Sequence, residues 1–241
     1  KQEEFSVCGM VMDVRSTGNG HRMVELEDPT GSVNALFHKD RPDFAEAERI
    51  VPDEVIGVRG SLSNEGNLIF ADQIFRPDIP FSHAPYTSDR KGAAVLISDI
   101  HVGSDTFLED AWNRFADWLS DSEVSYLLVA GDLVDGIGIY PDQDKELVIT
   151  NIYEQYDVLG EMLTDLPSHI RIILSPGNHD VVRGAEPQPA IPEKFRSAYP
   201  SSCTFVENPA LVNLQGVRFL MYHGRSFDDL IGLMPGASYE K

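Results

Sequence analysis

The sequence is poor in cysteine, in positive charge and in long apolar runs. Its two cysteines, Cys8 and Cys203, stand far apart and make no Cys-x-x-Cys pair. Each sits in an apolar run, so both are expected as buried thiols in a reducing, cytoplasmic setting. No apolar run nears the roughly 18 residues that a membrane span requires, and no charged-then-apolar leader is present, so neither export nor a membrane partner is expected. Lysine and arginine total 19 against 39 aspartates and glutamates, a formal net charge of -20. Phosphates demand positive partners, so such a surface is ill suited to gripping nucleic acid by charge. The acidic residues run along the whole chain instead of forming a tail. That favours a surface adapted to high salt, where the Debye length shrinks to about 3 Å at 1 M. The chain opens on Lys1 and closes on Tyr239-Glu240-Lys241 without a natural stop, and is expected to be a fragment.

What is present divides in two. Residues 1–80 are expected to be all-β. Val7 to Val14, Arg22 to Glu27, Val33 to Phe37, Val55 to Gly60 and Leu68 to Ala71 read as strands, broken by turns such as Thr17-Gly18-Asn19-Gly20 and Asn64-Glu65-Gly66-Asn67. A short helix over Arg41 to Arg49 falls between the third and fourth. Five strands with that insertion match an OB-fold barrel. Phe37 and Phe70 are expected in its core, and 15 acidic against 8 basic residues in this segment favour a structural or docking barrel over an autonomous nucleic-acid binder. Pro77, Pro80 and Pro85, with Ser82 and Ser88, mark a linker over residues 81–90. Residues 91–241 alternate strand and helix, an α/β layered pattern. Leu108, Trp112, Phe115 and Leu119 make one helical stripe, and Ile152, Tyr156, Leu159, Leu163 and Leu166 a second. Both are read as core faces, with no cofactor role for their aromatics.

The chemistry gathers where apolar strands stop. Val95-Leu96-Ile97-Ser98 runs into Asp99-Ile100-His101; Leu127-Leu128-Val129-Ala130 runs into Gly131-Asp132 and on to Asp135. Ile172-Ile173-Leu174 runs into Ser175-Pro176-Gly177-Asn178-His179-Asp180, and Val217 to Tyr222 ends at His223-Gly224. Four such strands imply one site at the carboxyl ends of a sheet, where open α/β sheets bind ligands. Asp99 and His101, two apart, can point the same way, and the glycine before Asp132 allows close backbone approach to a metal. A carboxylate can bridge two cations about 3.5–4 Å apart, and a nitrogen/oxygen donor set without thiolates suits Mn, Fe, Zn or Ni better than Ca or Mg. His179, with Asp180 to hold its tautomer, suits a general acid or transition-state stabiliser. Asp135 is expected to support Asp132 or a nearby loop. Arg225 reads equally as a phosphate contact or as a salt-bridge partner of Asp228 or Asp229.

In this order, Asp-Ile-His, Gly-Asp-Leu-Val-Asp, Gly-Asn-His-Asp and Tyr-His-Gly resemble the calcineurin-like metallophosphoesterase superfamily. The preceding barrel and the runs GDLVDGIGIYP, SPGNHDVVRGAEPQPA and YHGRSFDDL are similar to the small-subunit family of the archaeal D-family DNA polymerases. The resemblance covers essentially the whole chain and implies a two-domain α+β protein: an OB-fold barrel, then an α/β metallophosphoesterase sandwich, here truncated. By that resemblance Asp99, His101 and Asp132 hold one metal, Asp132, Asn178 and His223 the other, and His179 is catalytic. It implies two divalent ions (Mn first), a 3′–5′ exonuclease acting on single-stranded or mismatched 3′ DNA ends, and a large polymerase subunit as partner. An acidic archaeal member implies a halophile. One departure stands out. The family closes its site with a later Gly-His-x-His motif, and no histidine follows His223 here. A fragment without it is expected to bind metal weakly and hydrolyse little. The competing readings are a silent scaffold subunit of the same fold and a stand-alone phosphoesterase. The intact ligand set argues against the first, and the barrel against the second.

Overall fold

The computed structural model describes residues 4–78, 82 and 84–239, so Pro80, one of the expected linker prolines, lies outside the described residues. The chain forms two compact units, Lys1–Ala84 with Ser226–Lys241, and Pro85–Arg225. The division falls inside the expected linker, but the last residues cluster with the first unit instead of completing the second.

The first unit is a closed five-stranded barrel. Strands β1 (Glu4–Ser16), β2 (Arg22–Asp28), β3 (Gly31–Phe37), β4 (Val55–Leu62) and β5 (Leu68–Phe75) run in the order β1-β2-β3-β5-β4. Every pairing is antiparallel except β3 with β5. Closure removes sheet edges, and the period-two alternation turns Val11, Val24, Leu26, Ala35, Phe37, Ile56, Val58 and Ile69 inward. Helix α1 (Phe44–Glu48) adds Ala47 to this core. The same alternation overturns two expectations. Phe70 follows the buried Ile69 and is 41% exposed, and Cys8 sits beside the buried Gly9 on the outer face of β1. An apolar run on a one-sided strand buries only every second residue.

In the second unit β6 (Ala93–Ile97), β7 (Val124–Ala130), β8 (Arg171–Ser175) and β9 (Cys203–Phe205) form a parallel sheet in the order β6-β7-β8-β9. Helices α2 (Glu109–Ser120) and α3 (Ile152–Thr164) serve as crossovers. Leu127, Val129, Ile172 and Leu174 pack on one face with Leu119, Tyr156, Leu159 and Leu163. Leu128 and Ile173 pack on the other with Leu214 and Met221, from the antiparallel pair β10 (Ala210–Leu214) and β11 (Val217–Met221). Full burial of each such side chain is worth about 1.5–3 kcal/mol. The central strands are thus buried on both faces, which explains their unbroken apolar runs.

Three details depart from the sequence reading. The strand before His223 belongs to this second, two-stranded sheet, so three of the four site-bearing strands share the parallel sheet and one does not. Cys203 is only half-buried. The second helical stripe is core, and the first is so from Trp112 and Phe115, which pack partly buried against it, to the buried Leu119; only Leu108, just ahead of α2, departs, at 72% exposed. Asn151 caps α3 by accepting from Tyr153 N and Glu154 N; no side chain caps α2. In α4 (Ser226–Leu233) no residue is buried. Among the described residues no helix is long and apolar enough to cross a membrane.

Candidate metal centre

The loops leaving β6 and β7 are laced together by their backbones, and the loop leaving β8 is tied to them by the carboxylates of Asp132 and Asp180. Asp99 N donates to Gly131 O at 3.0 Å, and His101 N to Asp132 O at 3.1 Å. To fit this weave, Asp99, His101 and Asp132 adopt left-handed backbone, with φ of 57°, 53° and 49°. Such conformations cost about 1–2 kcal/mol per non-glycine residue and concentrate where function holds them in place. Asp99 and His101 therefore converge because the chain twists after the strand, not because of strand alternation.

Asp132 is the hub, 4% exposed. Its Oδ1 accepts from His179 N at 2.8 Å. Its Oδ2 lies 3.5 Å from His101 Nε2 and 3.4 Å from His223 Nε2. Asp99 Oδ1 stands 3.7 Å from His101 Nε2 on one side, and Asn178 Oδ1 3.0 Å from His223 Nε2 on the other. His101 holds the Asp99 carboxyl down at about 2. Burial opposes the charged form of His223, but Asp132, the Ala130 carbonyl and Asp99 outweigh it and raise the imidazole to about 9.

Three imidazoles are each tethered through Nδ1. His101 donates to Asp135 Oδ1 at 3.0 Å, His179 to Asp135 O at 2.7 Å, and His223 to Ala130 O at 2.9 Å. Tethering Nδ1 leaves each Nε2 lone pair for a ligand, the arrangement that metal-binding histidines adopt. His101, Asp132 and His179, and separately Asp99, Asp132 and His223, place donor atoms within 4.8 Å of one another. A nitrogen/oxygen set of this kind fits divalent cations of borderline softness, and the backbone makes room for it. A Cβ at Gly177 would overlap Asp132 and come 2.8 Å from His223 Nε2; one at Gly131 would overlap His223. The glycine before Asp132 is thus needed for an imidazole to pass. The geometry also brings His179 within ligand range, a role the sequence reading did not give it.

Two expectations about support change. Of the two roles expected of Asp135, support of a nearby loop stands, through Gln143, while in place of Asp132 it holds His101 and His179. Asp180 does not touch the His179 ring. It is 3% exposed and accepts from Tyr156 Oη at 2.7 Å, Gly177 N at 2.8 Å and Leu133 N at 3.2 Å. Burial pushes its carboxyl up to about 6 despite those donors. It pins the Gly177 turn to the β7 loop. Arg225 is exposed on the segment after Gly224. The sequence reading missed Gln143, which is 1% exposed; its Nε2 donates to Asp135 O at 2.8 Å and Oδ2 at 2.9 Å. It lies in an acidic loop with no pattern to flag it. Gln155, a buried polar residue on α3 whose Oε1 accepts from Gly136 N at 2.9 Å, was missed as well.

Comparisons with known proteins agree with the two-domain fold. Residues 5–74 match the OB-fold nucleic acid binding domain, and residues 94–235 the calcineurin-like phosphoesterase family. Proteins described as "DNA polymerase II small subunit" are similar along nearly all of the chain. That of Halobacterium salinarum is 47% identical over 236 residues, covering 96% of this chain and 46% of the relative. The Methanothermobacter thermautotrophicus protein is 44% identical over 254 residues, covering 100% and 52%, and that of Pyrococcus abyssi 39% identical over 253, covering 99% and 40%. The chain therefore spans about half the length of these curated relatives. With its clustered strand-end carboxylates and imidazoles, its parallel sheet and a match over most of the second unit, this chain belongs to the calcineurin-like phosphoesterase family.

Proposed function

We propose that the full-length protein is the small subunit of an archaeal replicative DNA polymerase, and that its phosphoesterase site removes nucleotides from 3′ DNA ends. The observation that carries this reading is Asp132 Oδ2, set between His101 Nε2 and His223 Nε2 at 3.5 and 3.4 Å. One buried carboxylate oxygen shared by two imidazole-bearing clusters is what a pair of divalent ions requires of a bridging ligand. Asp99, His101 and Asp132 would hold one ion, and Asp132, Asn178 and His223 the other. The donor chemistry favours manganese, with iron, zinc or nickel as alternatives. When bound, the ions supply an activated water and neutralise charge on the phosphate.

The chain's own groups do the rest. His179, with Nδ1 tied to the Asp135 carbonyl, turns Nε2 to the site, where as an imidazolium it would donate a hydrogen bond or proton to a phosphodiester oxygen. Asp135 and Gln143 hold the rings; Asp180 and Tyr156 hold the turn that carries Asn178 and His179. Similarity to polymerase small subunits supports a large subunit as partner, the barrel acting in docking, in a cytoplasm whose salt suits the -20 charge. The test is manganese-dependent shortening of a 5′-labelled single strand by the full-length protein in high salt, beside His179→Ala. Stepwise loss from the 3′ end that the variant abolishes is expected. Metal binding without cleavage would replace the nuclease by a scaffold.

A further inference from the structure

Next to the acid–imidazole cluster the second unit carries a cleft of about 820 Å³, which Asp99, His101 and His179 line in part. The remaining lining is of another kind. Phe107, Leu108, Ala111, Trp112 and Phe115, from the start of α2 and the residues before it, make it apolar. Leu108 is the most exposed of them, at 72%. Tyr140 also lines it, with its ring centroid 6.1 Å from that of His179 and its hydroxyl donating to Glu146 at 2.7 Å. The charged side chains around the cleft other than the histidines are acidic: Asp105, Asp135 and Glu146 join Asp99, and no lysine or arginine lines it. This is the end of the first stripe that the sequence assigned to the core.

We propose that this cleft seats the unpaired 3′-terminal nucleobase of the strand being hydrolysed, an inference that rests on the phosphodiesterase reading above. A nucleotide offers an anionic part and a flat, largely apolar one. The anionic part suits the metal cluster. The cleft suits only the other part, because an acidic rim without a cation repels any further phosphate. A continuing strand would bring such phosphates into it; a terminal nucleoside, with a free 3′ hydroxyl, brings none. The lining therefore selects a strand end. Aromatic and aliphatic side chains stack on any base, and the carboxylates of Asp105 and Glu146 accept from exocyclic amino groups. A base lodged there cannot also pair with a template, so frayed or mismatched ends enter first.

The experiment uses full-length protein in high salt with two readouts. In manganese with the His179→Ala protein, where cleavage is not expected, an oligonucleotide carrying 2-aminopurine at its 3′ terminus is expected to lose fluorescence on binding, and one labelled at the 5′ terminus is not. In manganese, a strand ending in a base is expected to be shortened about tenfold faster than one ending in an abasic sugar, as one lost stack predicts. Leu108→Ala should reduce the quenching and bring the ratio of the two rates towards one, while Leu108→Phe should preserve both. Equal rates for both ends, with hydrolysis otherwise intact and no 3′ quenching, would overturn the base seat alone. No hydrolysis of either strand would overturn the phosphodiesterase reading and the seat with it. Protection of Leu108 and Trp112 from radical footprinting before DNA is added would assign the wall to a protein contact and overturn the proposal.

Discussion

His101 donates its Nδ1 proton to Asp135 Oδ1 at 3.0 Å, and the carbonyl of that same aspartate accepts from His179 Nδ1 at 2.7 Å. One residue therefore sets the tautomer of two imidazoles whose centroids lie 4.6 Å apart, edge to face. Gln143 Nε2 in turn donates to that carbonyl and to the other carboxylate oxygen, Asp135 Oδ2. In Asp135→Asn the new amide presents a donor either to Gln143 Nε2 or to His101 Nδ1, and one of the two contacts is lost. Manganese affinity is expected to fall about 10- to 100-fold, the usual effect of losing a residue that orients a ligand. The far-UV circular dichroism should stay unchanged. Titration by electron paramagnetic resonance reads the affinity, and an unaltered value would show that Asp135 does not orient His101.

A second prediction concerns Gly177. Its backbone passes so close to Asp132 and His223 that a methyl group would overlap the carboxylate. Gly177→Ala should push Asp132 or the turn aside. Overpacking of this sort costs about 1–3 kcal/mol of stability, and metal affinity is expected to fall at least tenfold. Gly184→Ala, where nothing lies within 4 Å of the added atom, is the control. Equal metal affinity in the two variants would mean that the turn yields without cost.

How far the sequence discloses this arrangement depends on whether a residue's signal is local. The barrel's strands and the strand-end positions of Asp99, His101, Asp132, Asn178, His179 and His223 are legible, because alternation, apolar runs and turn glycines are local features. Gln143 is not: its role comes from a loop that folds back on Asp135, and nothing in Asp142-Gln143-Asp144-Lys145 announces the return. Asp180 misleads for a related reason. It follows His179 directly, yet the turn sends its side chain to Tyr156, 24 positions earlier. Phe70 and Leu108 fail differently, since an apolar residue carries no mark of whether its face is covered.

The two cysteines should differ in reactivity. Cys8 is exposed on the barrel, whereas Cys203 is half-buried at the edge of the parallel sheet, where burial pushes its thiol up to about 12. The thiolate is the reactive form. Near neutral pH the peptide carrying Cys8 is expected to be alkylated by iodoacetamide well before unfolding, and that carrying Cys203 only with it. Mass mapping of the peptides along a urea series checks this. Simultaneous labelling of both in native protein would show that β9 opens locally.

The alkaline limb of stability is set by groups kept dry. Burial holds the Tyr156 and Tyr199 phenols far above the ordinary tyrosine range, and the Cys203 thiol at about 12. In the unfolded chain these groups lose their protons near their ordinary values, about 10 for tyrosine and 8.5 for cysteine. At high pH the native state thus binds more protons than the unfolded one. Their contribution is complete below the unfolded values and is lost as pH rises towards the folded ones, by up to about 1.4 kcal/mol per pH unit for each group. The urea midpoint is expected to fall steadily above about pH 9. The two tyrosines then part company. Tyr156 Oη donates to Asp180 and accepts from Val181 N, whereas Tyr199 Oη is buried without a hydrogen-bond partner. Tyr199→Phe removes a stranded hydroxyl, and should gain about 1 kcal/mol near neutral pH while making the alkaline slope shallower by one group. Tyr156→Phe takes from the buried Asp180 one of its three donors and from Val181 N its acceptor, and should lose about 1–3 kcal/mol. Identical alkaline slopes for the parent and Tyr199→Phe would mean that solvent already reaches that phenol.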